Sequence, residues 1–81
     1  MYYVYVLKSD STGRTYIGHT DDLESRLRQH NSGMSKATGF VRDWCLKYSQ
    51  SYPSRSLAMK REKFLKSGDG RKVLRLKGII Q

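Results

Sequence analysis

The 81-residue sequence has one cysteine, Cys45, and one proline, Pro53. A lone cysteine excludes an internal disulfide framework and any CxxC metal knuckle. No stretch approaches the roughly 20 consecutive apolar residues of a membrane span. The opening run, Met1 to Leu7, is too short for a signal core and has no small-residue cleavage site after it. The two histidines, His19 and His30, stand apart without a cysteine partner, which excludes a conventional tetrahedral zinc site. There is no Ser-His-Asp set and no glycine-rich phosphate loop. The expectation is a soluble, cytoplasmic protein with no membrane association, folded as a single domain over residues 1–81.

Acidic residues are scarce, and unevenly so. Lys and Arg number 16 against 7 Asp and Glu, a net charge of +9. Residues 1–40 carry five basic and four acidic side chains, and residues 41–81 carry eleven and three. A basic half of this kind is the footprint of a protein that meets phosphate backbones. Binding to an acidic lipid or protein surface is the blander alternative. Hydrophobic residues make up 37% and charged residues 28%, a globular rather than a disordered balance.

Residues 2–7, Tyr-Tyr-Val-Tyr-Val-Leu, are aromatic and β-branched and predict a strand covered on both faces. Ser9 to Gly13 is a turn cluster, and residues 14–19 resume β character, so the two form a hairpin. Gly18 interrupts the second strand and marks a bulge or a close approach to the backbone. Thr20 or Asp21 can cap a helix carrying Leu23, Arg26 and Leu27, with Asp21 and Glu24 at capping-box spacing. Asn31-Ser32-Gly33 ends it, and residues 34–43 form a loop. Trp44 to Ser49, extending towards Tyr52, is a third strand. Pro53 stops it, and Ser54 caps a helix over residues 55–67. Leu57, Ala58, Arg61, Phe64 and Leu65 lie on one helical stripe, and Leu57, Phe64, Trp44 and Tyr48 are expected in the core. Gly68-Asp69-Gly70 is expected as a break before a last short helix within residues 71–80, packing Val73, Leu74 and Leu76. The predicted order is β-β-α-β-α-α, an α+β fold with a three-stranded sheet flanked by helices.

Chemistry is carried by tyrosines, one helix arginine and an isolated glutamate. Tyr5 and Tyr16 lie on the two arms of the hairpin, near enough to meet across the sheet. Arg26 and His30 share one face of the first helix. Glu62 is the only glutamate after Glu24. It sits among Lys60, Arg61 and Lys63, where it can be an ion-pair partner or a single carboxylate ligand for Mg²⁺ beside a phosphate.

These residues resemble those of the GIY-YIG endonuclease superfamily, in particular its small single-domain bacterial members. Tyr16-Ile17-Gly18 is an intact YIG tripeptide following Tyr3-Val4-Tyr5 at the family spacing. The likeness continues through Asp21-Asp22-Leu23-Glu24-Ser25-Arg26-Leu27, His30-Asn31, the third strand, and Ser54-Arg55 to Arg61-Glu62. The first glycine of the GIY tripeptide is replaced by Tyr3, and no Asn follows Asn31. The resemblance implies a mainly antiparallel three-stranded sheet with helices. It also implies hydrolysis of DNA phosphodiester bonds with a divalent metal, Mg²⁺ or Mn²⁺. Carried over by position, it implies Tyr5 and Tyr16 as the motif tyrosines and Arg26 as the phosphate-binding arginine. His30 becomes an auxiliary site residue and Glu62 the metal ligand. Either tyrosine can serve as the base, with Tyr16 favoured because YIG is the better-matched half. His19, Lys36, Arg61, Lys72 and Arg75 are expected to touch nucleic acid. Little sequence specificity is expected, since no base-reading element is visible. RNA as substrate, a partner protein that supplies targeting, and a homodimer all stay open. The rival from another class is a catalytically weak nucleic-acid-binding module that keeps the fold. A third reading is a basic protein that docks on ribosomes or a partner.

Overall fold

The computed structural model describes residues 1–33 and 41–80. Six elements follow one another: β1 (Tyr2–Ser9), β2 (Thr15–Thr20), α1 (Leu23–Asn31), β3 (Trp44–Tyr52), α2 (Arg55–Leu65) and α3 (Gly68–Leu76). The α+β order matches the one predicted. The sheet runs β2-β1-β3, and both pairings are antiparallel.

The central place of β1 explains its composition. Val4 and Val6 face a core built with Ile17, Ala58, Leu65 and Leu74. Tyr5 and Leu7 point to the opposite side, towards Val41 and Trp44, with Leu23 and Leu27 packed against them. Alternate residues therefore enter two cores, so an unbroken apolar run is required rather than an alternating one. The register to β3 shifts between Val6, paired with Tyr48, and Leu7, paired with Leu46. Lys47 is the extra residue of this bulge.

Capping sets the helix starts. Asp22, one residue later than expected, caps α1 by accepting from the Ser25 amide at 3.1 Å. Thr20 is used just upstream, its Oγ1 accepting from the Asp22 amide at 3.1 Å. The far end of α1 is tied to β3 by a two-way clamp. The Trp44 amide donates to Asn31 Oδ1 at 2.6 Å, and Asn31 Nδ2 donates to the Trp44 carbonyl at 3.1 Å. Ser54 caps α2 as expected, accepting from the Leu57 amide.

Two expectations are corrected at the C-terminal end. Gly68-Asp69-Gly70 is not a break but the first turn of α3, capped by Ser67 through the Gly70 amide at 3.2 Å. The true stop is Gly78, at φ 73°. Its amide bonds to the Arg75 carbonyl at 3.0 Å, and the Ile79 amide reaches the Leu74 carbonyl at 2.9 Å, the paired bonds of a Schellman motif. Ile79 then packs back onto the core.

The expected core membership is also revised. Trp44 is buried and Tyr48 packs partly buried against the core, but Leu57 is 43% exposed, Phe64 36% and Leu76 89%. α2 buries only Ala58 and Leu65, so its buried stripe is narrower than the apolar positions imply.

Candidate functional site

Tyr5 lies opposite Gly18 in the ladder, and Tyr16 lies opposite Leu7. The tyrosines are thus diagonal neighbours, with ring centroids 6.2 Å apart. Both rings lie against Gly18. A Cβ there would stand 2.7 Å from Tyr5 Oη and 3.0 Å from Tyr16 Cε2. The glycine of the YIG tripeptide therefore leaves open the space that the two rings occupy.

Helix α1 supplies the next two groups. Arg26 Nε donates to Tyr5 Oη at 3.4 Å, and Tyr5 Oη lies 3.1 Å from His30 Nε2. Arg26 can only donate, so the tyrosine oxygen accepts there and its own proton is available to His30. The His30 ring also stands 4.8 Å from Tyr16 and 6.5 Å from Trp44, centroid to centroid. Tyr5 is the hub of this cluster. Burial pushes its phenol up, and this outweighs the bond from Arg26, so Tyr5 stays protonated. Hydrogen bonding to Tyr5 pushes the Arg26 guanidinium up, and the Tyr16 oxygen adds to this.

Burial, with the nearby Arg26 charge, holds the His30 imidazole below its ordinary value. The unfolded chain therefore takes up this proton before the folded protein as pH falls through about 6.5. Stability is expected to decline from there downward. The urea midpoint should be lower near pH 5.5 than near pH 7.5, and His30→Gln should flatten that dependence.

Glu62 enters from α2. Its Oε1 is 2.7 Å from His19 Nδ1, and its Oε2 accepts from Lys66 Nζ at 2.9 Å. Burial raises its carboxyl, but the bonds from His19 and Lys66 prevail and hold it below the usual range. Glu62 is thus anionic at neutral pH. Arg26 and Glu62 form no ion pair with each other among the described residues. Arg26 turns instead to Tyr5 and, through Nη1, to Gln29 Oε1 at 3.0 Å.

Two surface recesses have a partner of this carboxylate in their walls. One, of about 330 Å³, is lined by His19, Thr20, Asp21, Arg26 and Arg55. The other, of about 290 Å³, is lined by Thr15, Tyr16, Ile17, Lys66 and Arg71. Each oxygen of Glu62 is bonded to a wall residue of one recess.

The family model of the GIY-YIG catalytic domain matches residues 1–73. The chain belongs to the GIY-YIG family. Among its relatives are UPF0213 proteins of Staphylococcus aureus, strains Mu3 and COL. Each is 37% identical over 76 residues, covering 93% of this chain and 92% of the relative. The solution NMR structure of a UPF0213 protein from Bacillus halodurans is similar with a TM-score of 0.56 and 32% identity, covering 98% of this chain and 85% of that one. The family is an endonuclease superfamily.

Within this GIY-YIG domain the structure brings Tyr5, Tyr16, Arg26 and His30 into one cluster and joins His19 to Glu62. Lys72 and Arg75 are exposed on α3. Arg61 lays its guanidinium over the Phe64 ring, 5.0 Å from the centroid. Lys36 lies outside the described residues.

Sequence reasoning passed over Arg55, Lys66 and Arg71 as site-lining groups. Arg55 carried a signal: it opens α2, whose first turn has no acidic residue, although the helix dipole disfavours a cation there. Its guanidinium sits 4.9 Å from the centroid of Tyr2. Lys66 and Arg71 had none, being two bases in a run of many.

Among the described residues no three His, Cys, Asp or Glu side chains gather as a metal cluster. The donor chemistry still suits Mg²⁺, which commonly takes one or two carboxylates and fills its shell with phosphate oxygens and water. Glu62 supplies one anionic carboxylate. Its partner Lys66 is 52% exposed and can swing away to free an oxygen. No helix among the described residues is long and apolar enough to cross a membrane.

Proposed function

We propose that the protein is a metal-dependent endonuclease that hydrolyses phosphodiester bonds in DNA with little sequence specificity. The observation that carries this is the placement of Arg26. Its guanidinium is held by Tyr5 at the wall of an open recess and forms no ion pair with Glu62 among the described residues. A guanidinium so placed presents fixed donors to a phosphate and to the charge that grows on it in the transition state. Glu62 would hold the divalent ion, which when bound polarises the phosphate and the leaving oxygen.

The two tyrosines then divide the work. Tyr5, kept protonated by burial, positions Arg26. Tyr16 lines an open recess and is the base, taking the proton of the attacking water at Oη. The water oxygen bonds to phosphorus as the bond to the leaving oxygen breaks, and that oxygen is protonated from solvent.

The test is incubation of supercoiled, linear, branched and single-stranded DNA with the protein and Mg²⁺ or Mn²⁺, with EDTA as control. Internal cuts that need the metal are expected, and absence of cutting with any divalent ion on any substrate would overturn the reading. One observation favours a second reading, a binding module without catalysis. Both oxygens of Glu62 are already engaged by His19 and Lys66. That module would bind DNA regardless of EDTA and cut none.

Arg26→Ala is expected to lower kcat about 10²-fold while changing DNA affinity less than about tenfold, because its contacts strengthen as charge develops. Single-turnover cleavage alongside a binding titration checks it. Equal losses in both would make Arg26 a plain phosphate contact.

A further inference from the structure

The recess formed by Thr15, Tyr16, Ile17, Lys66 and Arg71 has no part in the scheme above except through Tyr16. It combines two cations and two hydroxyls and has no acidic wall residue. Arg71 forms no ion pair among the described residues. At about 290 Å³ it has roughly ten times the liquid volume of a water molecule, room for a phosphodiester group. Glu62 links the walls of the two recesses, its Oε2 accepting from Lys66 in this one and its Oε1 lying 2.7 Å from His19 in the other. A bonded chain, His19–Glu62–Lys66, thus runs from the recess of Arg26 to the recess of Arg71.

We propose that this recess is a second phosphate subsite, which binds the phosphodiester group next to the one held at Arg26. The inference rests on the reading of the site as a nuclease and adds a substrate requirement to it. The productive ligand is then a chain with at least two consecutive phosphodiester groups. A single phosphodiester fills only half of the site. Arg71 is a binding residue here, and its guanidinium fork can grip two oxygens of the flanking phosphate.

The test separates the subsite from the chemistry. In EDTA, the ¹⁵N-labelled protein is titrated with a thymidine dinucleotide, which has one phosphodiester, and a trinucleotide, which has two. The trinucleotide should bind roughly tenfold more tightly, as a charge-assisted contact predicts. It should also move the amides of Thr15, Ile17 and Arg71. Arg71→Gln should abolish that gain, and Arg71→Lys, which keeps the charge but not the fork, should restore only part of it. Arg71 is exposed, and the amide spectrum of each variant reports its fold directly. A gain that survives Arg71→Gln, or unmoved amides in the recess, would overturn the subsite. Cleavage with Mg²⁺ is scored separately. An Arg71-dependent gain without cleavage keeps the subsite and removes the nuclease reading, and cleavage with an Arg71-independent gain does the reverse.

Discussion

Glu62→Ala is expected to reduce metal-dependent cleavage about 10³-fold, since Lewis-acid stabilisation of the phosphate contributes several kcal/mol to the transition state. DNA affinity measured in EDTA should hold or rise slightly, because the substitution removes a negative charge from a strongly basic surface. The contrast is the informative part. Glu62 contacts His19 and Lys66 at 2.7 and 2.9 Å and its side chain is only 20% exposed, so a loss of stability of about 2 kcal/mol is expected, which lowers Tm but leaves the domain folded. Thermal unfolding should therefore show an intact fold, and calorimetric titration with Mn²⁺ should show metal binding lost. Cleavage within about tenfold of the parent would remove Glu62 from the metal site.

Gly70→Ala should be the most damaging substitution to the fold. A Cβ at Gly70 would collide with the Phe64 carbonyl oxygen and the Leu65 Cα, and would stand 2.6 Å from the Phe64 carbonyl carbon. These are backbone atoms of the preceding helix and cannot swing aside as a side chain can. Two effects compete. Alanine favours a helix over glycine by about 1 kcal/mol. Forcing α2 and α3 apart costs about 3 kcal/mol and disturbs the packing around Leu65 and Leu74, both fully buried. The clash prevails, leaving a net loss near 2 kcal/mol and a drop in Tm of about 10 °C for a domain of this size. Gly68→Ala is the control. Nothing lies within 4 Å of its added Cβ, so the propensity gain stands alone and Tm should hold or rise. Equal behaviour of the two variants would show that the close approach of the helices does not matter.

The same pair of glycines shows where sequence reading reached its limit. Gly68-Asp69-Gly70 reads as a break because two glycines lower helix propensity. Ser67 nevertheless caps a helix there, and Gly70 is present because α2 lies too near for any side chain. The apolar positions Leu57, Phe64 and Leu76 read as core because period and hydrophobicity cannot say which flank of a helix meets the sheet. By contrast, the unbroken run from Tyr2 to Leu7 announced a strand covered on both faces, and Ser54 announced its helix. Cap chemistry and doubly covered strands are local matters that a sequence can state.

The site divides along the same line. Tyr5, Tyr16, Arg26, His30 and Glu62 could be picked out by residue type, spacing and likeness to the GIY-YIG pattern. Gly18 could be recognised as a bulge or a point of close approach, and the fold selects the second by laying both tyrosine rings against it. The two motif tyrosines look alike in sequence. Only the fold distinguishes them, by burying Tyr5 between Arg26 and His30 and leaving Tyr16 at the edge of a recess. Only the fold brings His19 and Lys66 to the two oxygens of Glu62, and only the fold gathers Lys66 and Arg71 with Thr15 and Tyr16. The physical reason is that identity and local conformation follow from side-chain chemistry and backbone sterics within a few residues. Burial, pKa and the meeting of charges from separate elements depend on how β1, β2 and α2 pack, and sequence spacing does not measure those distances.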